Sequence, residues 1–275
     1  MTHSINQHHN PYNNNDIEPK RAAILAALYD TNSVENIKPY LYEGSTVLEF
    51  SPRLGSLAKQ LLPIIGTTGS YTGIEPNSKH ALAAQNNLKD YSNAKIVHKP
   101  VIEAIDELPK NHFDVIYFRW FLWIIPEADR TELLKKCFAL LKPKGILLTE
   151  EADMTAIKTE PALDCIEQYK QNTALRCKKG NHPLTLGLEM ANLLESSNPN
   201  CTISKPNHFQ PSTNDSQHKL LPFYGACSTE QALLEAGLSK ASYDNMLEQL
   251  KTIANDNTVT LFTTKNIFTA ATKEG

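Results

Sequence analysis

The sequence predicts an α/β fold whose core is a doubly wound parallel sheet. Five short apolar segments with the length and composition of buried strands alternate with segments whose apolar residues recur at helical spacing. The alternation continues through residues 46–153, and parallel strands need such crossover helices to cover both faces of their sheet. The 275 residues, 41% of them hydrophobic, suffice for one large domain with additions or for two small domains.

The elements of this core are predicted from hydrophobic periodicity. An amphipathic helix over 18–30 comes first, and the strands that follow are expected at 46–50, 70–76, 94–100, 113–121 and 145–153. The helices between and after these strands are expected at 55–65, 78–91, 101–108 and 127–141. In the helix over 78–91, the side chains of Ala81, Leu82, Ala84 and Leu88 are expected to face inward.

Beyond Asp153 the regular alternation stops. Residues 159–195 are predicted to be mostly helical, and 201–209 form a weakly alternating strand. Further helices are expected over 215–237 and 239–256. Residues 258–273 are rich in β-branched side chains and favour a strand or a terminal hairpin.

Composition excludes several classes of function. A net charge of -3 and a pI of about 6.3 give no electrostatic basis for binding nucleic acid. No apolar run approaches the roughly 20 residues of a membrane-spanning helix, and the polar N-terminus lacks the apolar segment of a signal peptide. Five cysteines without a C-x-x-C pair are expected to be reduced thiols, which favours the cytoplasm, and no metal site is expected.

Acidic residues end the first two predicted strands. Glu49 and Glu75 would lie together at one edge of the sheet, because the carboxyl ends of parallel strands meet there and ligands bind in the crevice beside them. A carboxylate can accept hydrogen bonds from the two neighbouring hydroxyls of a ribose. Gly55 follows the first strand and would allow close packing at the start of a helix.

Several segments together resemble the class I S-adenosylmethionine-dependent methyltransferases. They are the pair Tyr29-Asp30 and the stretches VLEFSPRLGSLAKQL, GIEPN, FDVIYFRWFLWIIPEADR, LKPKGILLTEEAD and LLEAGLSKASYDNMLEQL. The branch that they resemble most is the small-molecule group similar to the ubiquinone and menaquinone biosynthesis methyltransferases. The resemblance implies a Rossmann-like sheet of seven strands with the last strand antiparallel, which 201–209 and 258–273 would complete. It also implies S-adenosylmethionine as the cofactor.

The resemblance assigns cofactor-binding roles by position. Glu49 would lie near the methionine end of the cofactor and Glu75 would bind the ribose hydroxyls. Ser51, Arg53 and Gly55 would occupy the three glycine positions of the first motif. The remaining implied contacts are Ser56, Pro76 beside the adenosine, Val101 and Ile102 flanking the adenine, and Arg119 after the fourth strand.

The first motif departs from the family pattern at two of its three glycines. Arg53 replaces a residue whose small size lets the backbone approach the ligand. Pro52 is expected to stiffen the loop and to push Ser51 towards an extended conformation. Arg53 could pair with the carboxylate of the cofactor, or it could fill the methionine pocket and prevent binding.

Methyl transfer does not require a recognisable catalytic group. The reaction is an in-line displacement in which orientation supplies much of the rate, so a general base is optional and no catalytic residue is assigned. Ile124 stands where many family members have a histidine or another polar residue. The wall of the acceptor pocket is expected to include Tyr29, Trp120, Trp123 and Glu151, although the two tryptophans fit core packing as well.

The sequence therefore predicts a methyltransferase that acts on a small-molecule acceptor. Its predicted parts are a flexible tail (1–17), a cofactor-binding core with an N-terminal lid helix (18–158), a helical lid (159–256) and a final strand (257–275). The alternative is a non-methylating pseudoenzyme or binding protein with a degenerate cofactor loop. A nicotinamide-dependent oxidoreductase fits less well, because the G-x-G-x-x-G fingerprint is absent. A homodimer is left open.

Overall fold

The computed structural model describes residues 17–275, so the predicted tail lies outside the described residues except for Ile17. The helices are α1 (Glu18–Ile37), α2 (Ser56–Ile65), α3 (Ser78–Asn87), α4 (Val101–Ala104), α5 (Glu127–Leu140), α6 (Asp164–Lys179), α7 (Leu186–Ser197), α8 (Leu221–Ser228), α9 (Glu230–Glu235) and α10 (Lys240–Asn255). The strands are β1 (Thr46–Phe50), β2 (Ser70–Glu75), β3 (Ala94–His98), β4 (Phe113–Arg119), β5 (Leu141–Asp153), β6 (Lys158–Glu160), β7 (Thr202–Ile203), β8 (Asn207–Phe209), β9 (Ser212–Thr213), β10 (Thr260–Phe262) and β11 (Lys265–Thr272).

The described chain divides into two compact units. One comprises Leu25–Ala156, Thr185–Pro211 and Thr264–Gly275, and it contains the large sheet. Among the described residues, the other comprises 17–24, Ile157–Leu184 and Ser212–Thr263. In this second unit α6 and α8 to α10 enclose an apolar core, and β6, β10 and β9 form a small antiparallel sheet. The predicted division of the chain at residues 158 and 256 stays a prediction.

The large sheet confirms the predicted fold class. Its strands lie in the order β3-β2-β1-β4-β5-β11-β7, and β8 also pairs with β11. The strands β1 to β5 are parallel, whereas β11 runs antiparallel to β5 along eight residue pairs, from Lys265 opposite Asp153 to Thr272 opposite Ile146. The chain moves outward in both directions from the neighbouring strands β1 and β4, which makes their carboxyl ends the expected ligand-binding crevice.

The cores of the helices follow the predicted periodicity with one exception. In α2 the side chains of Leu57, Leu61 and Leu62 are buried as expected, and they pack against the sheet. In the predicted helix over 78–91, Leu82 is 59% exposed, so its inward placement was wrong. Ala81 and Ala84 are buried, and Leu82 lies about 200° around the helix from Ala84 because each residue turns by about 100°.

Candidate functional site

The loop between β1 and α2 has left-handed backbone conformations at the three positions that the resemblance assigns to glycine. The φ angles are 55° at Ser51, 53° at Arg53 and 73° at Gly55. The expectation that Pro52 makes Ser51 extended is therefore wrong. The Ser51 N–H donates to the Ile74 carbonyl at 2.8 Å and so continues the β1–β2 ladder, after which the chain must turn sharply into α2. The side chains of Ser51 and Arg53 are accommodated in a conformation that normally favours glycine.

Gly55 places the start of α2 close to α3, as expected from its size. A Cβ atom at this position would lie 3.3 Å from the Ala84 Cβ. Gly55 is also the residue that precedes α2, and it offers no side chain to cap the first N–H groups of that helix. The turn therefore presents backbone donors at the carboxyl end of β1.

Glu75 is held at the carboxyl end of β2 with its side chain almost fully buried. Its Oε2 accepts the Arg53 N–H and its Oε1 accepts the Asn77 N–H, both at 2.9 Å. Burial raises the pKa of Glu75 from 4.5 to about 7, against the opposing effect of these two hydrogen bonds and of the Arg53 charge. His80 Nδ1 lies 3.9 Å from Oε1.

Glu49, at the end of β1, is buried on the neighbouring strand. It accepts a 2.6 Å hydrogen bond from the Tyr71 hydroxyl, and the residue is 5% exposed. Burial raises its pKa from 4.5 to about 7, whereas the Tyr71 hydrogen bond and the Arg119 charge act in the opposite direction. Two carboxyl groups with raised pKa values thus lie at adjacent strand ends.

A buried polar cluster connects α1 to the ends of β4 and β5. Arg119 donates from Nη2 to Asp30 Oδ1 at 2.7 Å and from Nη1 to Ser33 Oγ at 2.9 Å. The second Asp30 oxygen accepts the Ser56 hydroxyl at 2.6 Å, and Ser33 donates to Glu150 at 2.7 Å. Two residues of one helix turn therefore contact the first residue of α2 and the last residue of β4.

Glu150 lies at the centre of this cluster and is completely buried. Its Oε2 accepts hydrogen bonds from Ser33, from the Tyr117 hydroxyl at 3.1 Å and from the Asn266 amide at 2.8 Å. The buried Oε1 accepts no hydrogen bond within the described part of the chain. Asn266 in turn accepts the Trp120 indole N–H at 3.1 Å, so the amide joins Glu150 to that ring.

The four residues predicted to line the acceptor pocket differ in exposure. Trp120 is partly exposed, has a φ of 52°, and packs edge-to-face against Tyr29 with 4.8 Å between ring centroids. Tyr29 and Trp123 are buried. Glu151 is buried as well, and it accepts the Leu122 N–H at 2.7 Å, which anchors the turn after β4. Burial raises the pKa of Glu151 to about 8, opposed by backbone hydrogen bonds from this turn. A contact of any of the four with an acceptor stays a prediction.

The residues expected to flank the adenosine lie after β2 and β3. Val101 is buried and Ile102 is partly exposed, and together they begin α4, which packs against β2. Pro76 is exposed directly after Glu75. These positions follow the strand order, and their contact with adenine stays a prediction.

The roles of Asp30, Ser33 and Asn266 were not predicted from the sequence. The pair Tyr29-Asp30 carried part of the resemblance, and it was the one available signal for the α1 contacts. Asn266 lies on the last strand, 116 residues from Glu150, and no spacing links the two. Within residues 17–275, the His, Cys, Asp and Glu side chains form no group of three or more that could hold a metal ion. No described helix is both long and apolar enough to cross a membrane.

Comparison with known proteins finds a domain family that matches most of the part of the chain with the parallel strands. Residues 48–147 match the family model of a methyltransferase domain. Over 171 residues the chain is 28% identical to the phosphoethanolamine N-methyltransferase of Plasmodium falciparum, which covers 60% of this chain and 57% of that relative. The chain thus spans little more than half the length of the curated relative.

Two solved structures share the fold. The cyclopropane synthase MmaA2 of Mycobacterium tuberculosis has a TM-score of 0.51 at 14% identity, with 92% of this chain and 83% of that chain covered. The phosphoethanolamine N-methyltransferase 2 of Haemonchus contortus, in complex with S-adenosyl-L-methionine, has a TM-score of 0.51 at 15% identity, with 94% and 53% covered. The family match identifies a methyltransferase domain within residues 48–147, and the two structures show that the fold is shared. The ubiquinone-like branch stays a prediction.

Proposed function

We propose that this protein transfers a methyl group from S-adenosylmethionine to a small-molecule acceptor. One observation carries the proposal: Ser51, Arg53 and Gly55 all have left-handed φ angles directly before α2. The loop thus keeps the backbone path of a glycine-rich cofactor turn although two glycines are replaced. The methyltransferase-domain match over residues 48–147 supports the same conclusion.

The residues present fit the proposed cofactor. Each Glu75 oxygen accepts one backbone N–H, and a carboxylate oxygen can accept a second hydrogen bond, so both ribose hydroxyls can be bound. Glu49 would lie near the methionine end, and Val101 would contact the adenine. When bound, S-adenosylmethionine supplies a methyl group on a sulfonium, which an acceptor takes up by in-line displacement. The protein's part is then to orient both reactants.

The turn after β4 is the proposed wall of the acceptor site. Trp120 follows Arg119 at the edge of the crevice. Its indole N–H donates to Asn266 and its ring packs against Tyr29, and these contacts hold the ring in one orientation. A residue as bulky as tryptophan adopts a left-handed conformation only where its surroundings enforce it, and such strain is concentrated at functional sites. The relative from Plasmodium falciparum, by its name, methylates phosphoethanolamine, which supports a small acceptor here without identifying it.

Calorimetric titration tests the proposal directly. We expect the purified protein to bind S-adenosylmethionine and S-adenosylhomocysteine with micromolar dissociation constants and to give no heat with NAD. If neither sulfur ligand binds at millimolar concentration, the proposed function is wrong.

Arg53→Gly distinguishes the enzyme from its main rival. The Arg53 charge lowers the pKa of Glu75 and so favours the ionised carboxylate that binds hydroxyls. We expect the variant to bind S-adenosylhomocysteine several-fold more weakly than the wild type at pH 7. We also expect its free energy of unfolding to be about 1 kcal/mol higher than that of the wild type, because glycine removes the strain of an arginine in a left-handed conformation.

The rival function is a non-methylating binding protein, and the arginine at a glycine position favours it. If Arg53 blocks the cofactor, the wild type will not bind either sulfur ligand and Arg53→Gly will. Ile124, where many family members carry a polar residue, is also compatible with loss of activity. A homodimer and a cytoplasmic location stay predictions.

A further inference from the structure

Asp30 is a buried carboxylate on α1 whose two oxygens are both engaged. Its Oδ1 accepts from Arg119 Nη2 at 2.7 Å and its Oδ2 accepts from the Ser56 hydroxyl at 2.6 Å. The residue is 4% exposed. A charge-assisted hydrogen bond between buried groups is strong. Arg119 and Ser56 therefore stabilise a negatively charged group at the position of the Asp30 carboxylate.

The position that Asp30 occupies is one that any anion would favour. Ser56 is the first residue of α2, where the helix dipole and the free N–H groups attract negative charge. Arg119 ends β4, whose neighbouring residue Phe118 pairs with Phe50 of β1. The Asp30 carboxylate therefore lies between the carboxyl ends of β1 and β4, beside a helix start and a guanidinium.

We propose that Asp30 holds the place of the cofactor's own α-carboxylate, so that a ligand with an amino-acid end must displace Asp30 from Arg119 and Ser56. This inference rests on the proposed function. If Glu75 on β2 binds the ribose, the amino-acid end of the ligand extends across β1 towards β4, where Arg119 lies. Two carboxylates cannot share one guanidinium and one hydroxyl without mutual repulsion.

The rest of the cluster allows this exchange. Arg119 also donates to Ser33 at 2.9 Å, so it keeps one anchor on α1 when Asp30 leaves. The cost of moving Asp30 lowers the apparent affinity for every ligand that carries the carboxylate. A ligand that ends at the thioether avoids that cost. Asp30 therefore affects how tightly ligands with an amino-acid end bind, and it does not contact the nucleoside.

A different role for Asp30 predicts the opposite change in affinity. Asp30 could hold the α-ammonium of the ligand, in which case removing its charge would weaken the binding of an amino-acid ligand. Both schemes involve the same residues, so the direction of the change separates them.

Calorimetry with two ligands on Asp30→Asn tests the proposal. S-Adenosylhomocysteine carries the amino-acid end, whereas 5′-methylthioadenosine has the same nucleoside and thioether without it. We expect Asp30→Asn to bind S-adenosylhomocysteine about tenfold more tightly than the wild type, because a neutral amide competes weakly for Arg119. We expect its affinity for 5′-methylthioadenosine to be unchanged.

Controls separate the competing explanations. Glu35→Gln removes a carboxylate from the exposed face of the same helix and should change neither affinity. Asp30→Ser is a second variant without the charge and should reproduce the effect. The ratio of the two affinities within one sample does not depend on the folded fraction.

Three results would overturn the inference. Equal changes for both ligands mean that Asp30 only fastens α1, and weaker binding of S-adenosylhomocysteine alone means that Asp30 holds the ammonium. Both leave the proposed function intact. Failure of every variant and the wild type to bind either ligand contradicts the proposed function as well, and only that pattern does so.

Discussion

Replacing Glu75 by glutamine should remove the part of the protein's stability loss at rising pH that comes from ionising this carboxyl, while weakening the proposed cofactor site. Burial raises the pKa of Glu75 from 4.5 to about 7. Each pKa unit corresponds to about 1.4 kcal/mol, so ionising the folded carboxyl costs about 3 kcal/mol relative to the unfolded chain. In Glu75→Gln this ionisation cost is absent, because the amide is neutral at every pH. The amide nitrogen cannot accept a hydrogen bond, so either the Arg53 or the Asn77 N–H loses its acceptor, which costs about 1–3 kcal/mol at every pH.

The sign of the pH dependence follows from proton binding. Between pH 4.5 and 7 the folded Glu75 holds a proton that the unfolded chain has released, so this group's contribution to stability falls as the pH rises and is constant above 7. Glu75→Gln should therefore be the less stable protein at pH 5, where the lost hydrogen bond outweighs the small cost of ionising the wild-type carboxyl. Between pH 5 and pH 8 the difference in free energy of unfolding should shift by about 3 kcal/mol in favour of the variant.

Urea unfolding at pH 5, 6, 7 and 8 measures this difference, with Glu195→Gln, an exposed carboxylate on α7, as the matched control. If Glu75→Gln loses stability with rising pH as steeply as the wild type, the raised pKa of Glu75 is refuted. At pH 8 we also expect the affinity for S-adenosylhomocysteine to fall roughly 10- to 100-fold, because hydrogen bonds to a charged acceptor are lost.

Two further substitutions test the electrostatics at the amino ends of β1 and β4 and the packing beside Gly55. Asp114→Asn should destabilise the protein by about 1 kcal/mol at pH 7 after allowance for solvent screening. Although partial burial raises its pKa, hydrogen bonds from Lys142 and Thr46 lower it to about 2 overall. Urea titrations should show this difference shrinking as the pH falls from 4 towards 2, whereas a constant difference would contradict the assignment. Gly55→Ala should lower the thermal midpoint and cost roughly 1–2 kcal/mol, because φ is 73° and the new Cβ meets Ala84; an unchanged midpoint would show that the loop relaxes freely.

Periodicity was enough to predict the sheet and most helices, because each strand and helix of the core carries its own apolar pattern. Leu57, Leu61 and Leu62 recur at helical spacing and are buried in α2 as expected. The last antiparallel strand followed from the resemblance, and its eight pairs with β5 confirm it. Leu82 was misplaced because it is adjacent in sequence to the buried Ala81, whereas on the helix it lies about 100° from Ala81 and about 200° from Ala84.

The polar cluster could not be predicted in the same way. Its members come from three separate elements: Asp30 and Ser33 from α1, Glu150 from β5 and Asn266 from β11. No local pattern of polar residues predicts that these side chains are in contact. Ser51 was misjudged for a related reason. The rule for a residue before proline describes an isolated chain, whereas here a ladder hydrogen bond to Ile74 and the entry into α2 determine the backbone.

The departures from local preference are concentrated at one edge of the sheet. Ser51, Arg53 and Trp120 have left-handed backbones there, and burial raises the pKa of Glu49 and Glu75. Each of these features destabilises the folded state, and the apolar core beneath the edge must offset them. Simple packing does not require an arginine in a left-handed turn beside two buried carboxyls, because apolar residues and glycine would be more stable in the same places. These destabilising features are therefore best explained by a ligand whose hydroxyls and charged groups bind to the carboxyls and to the loop.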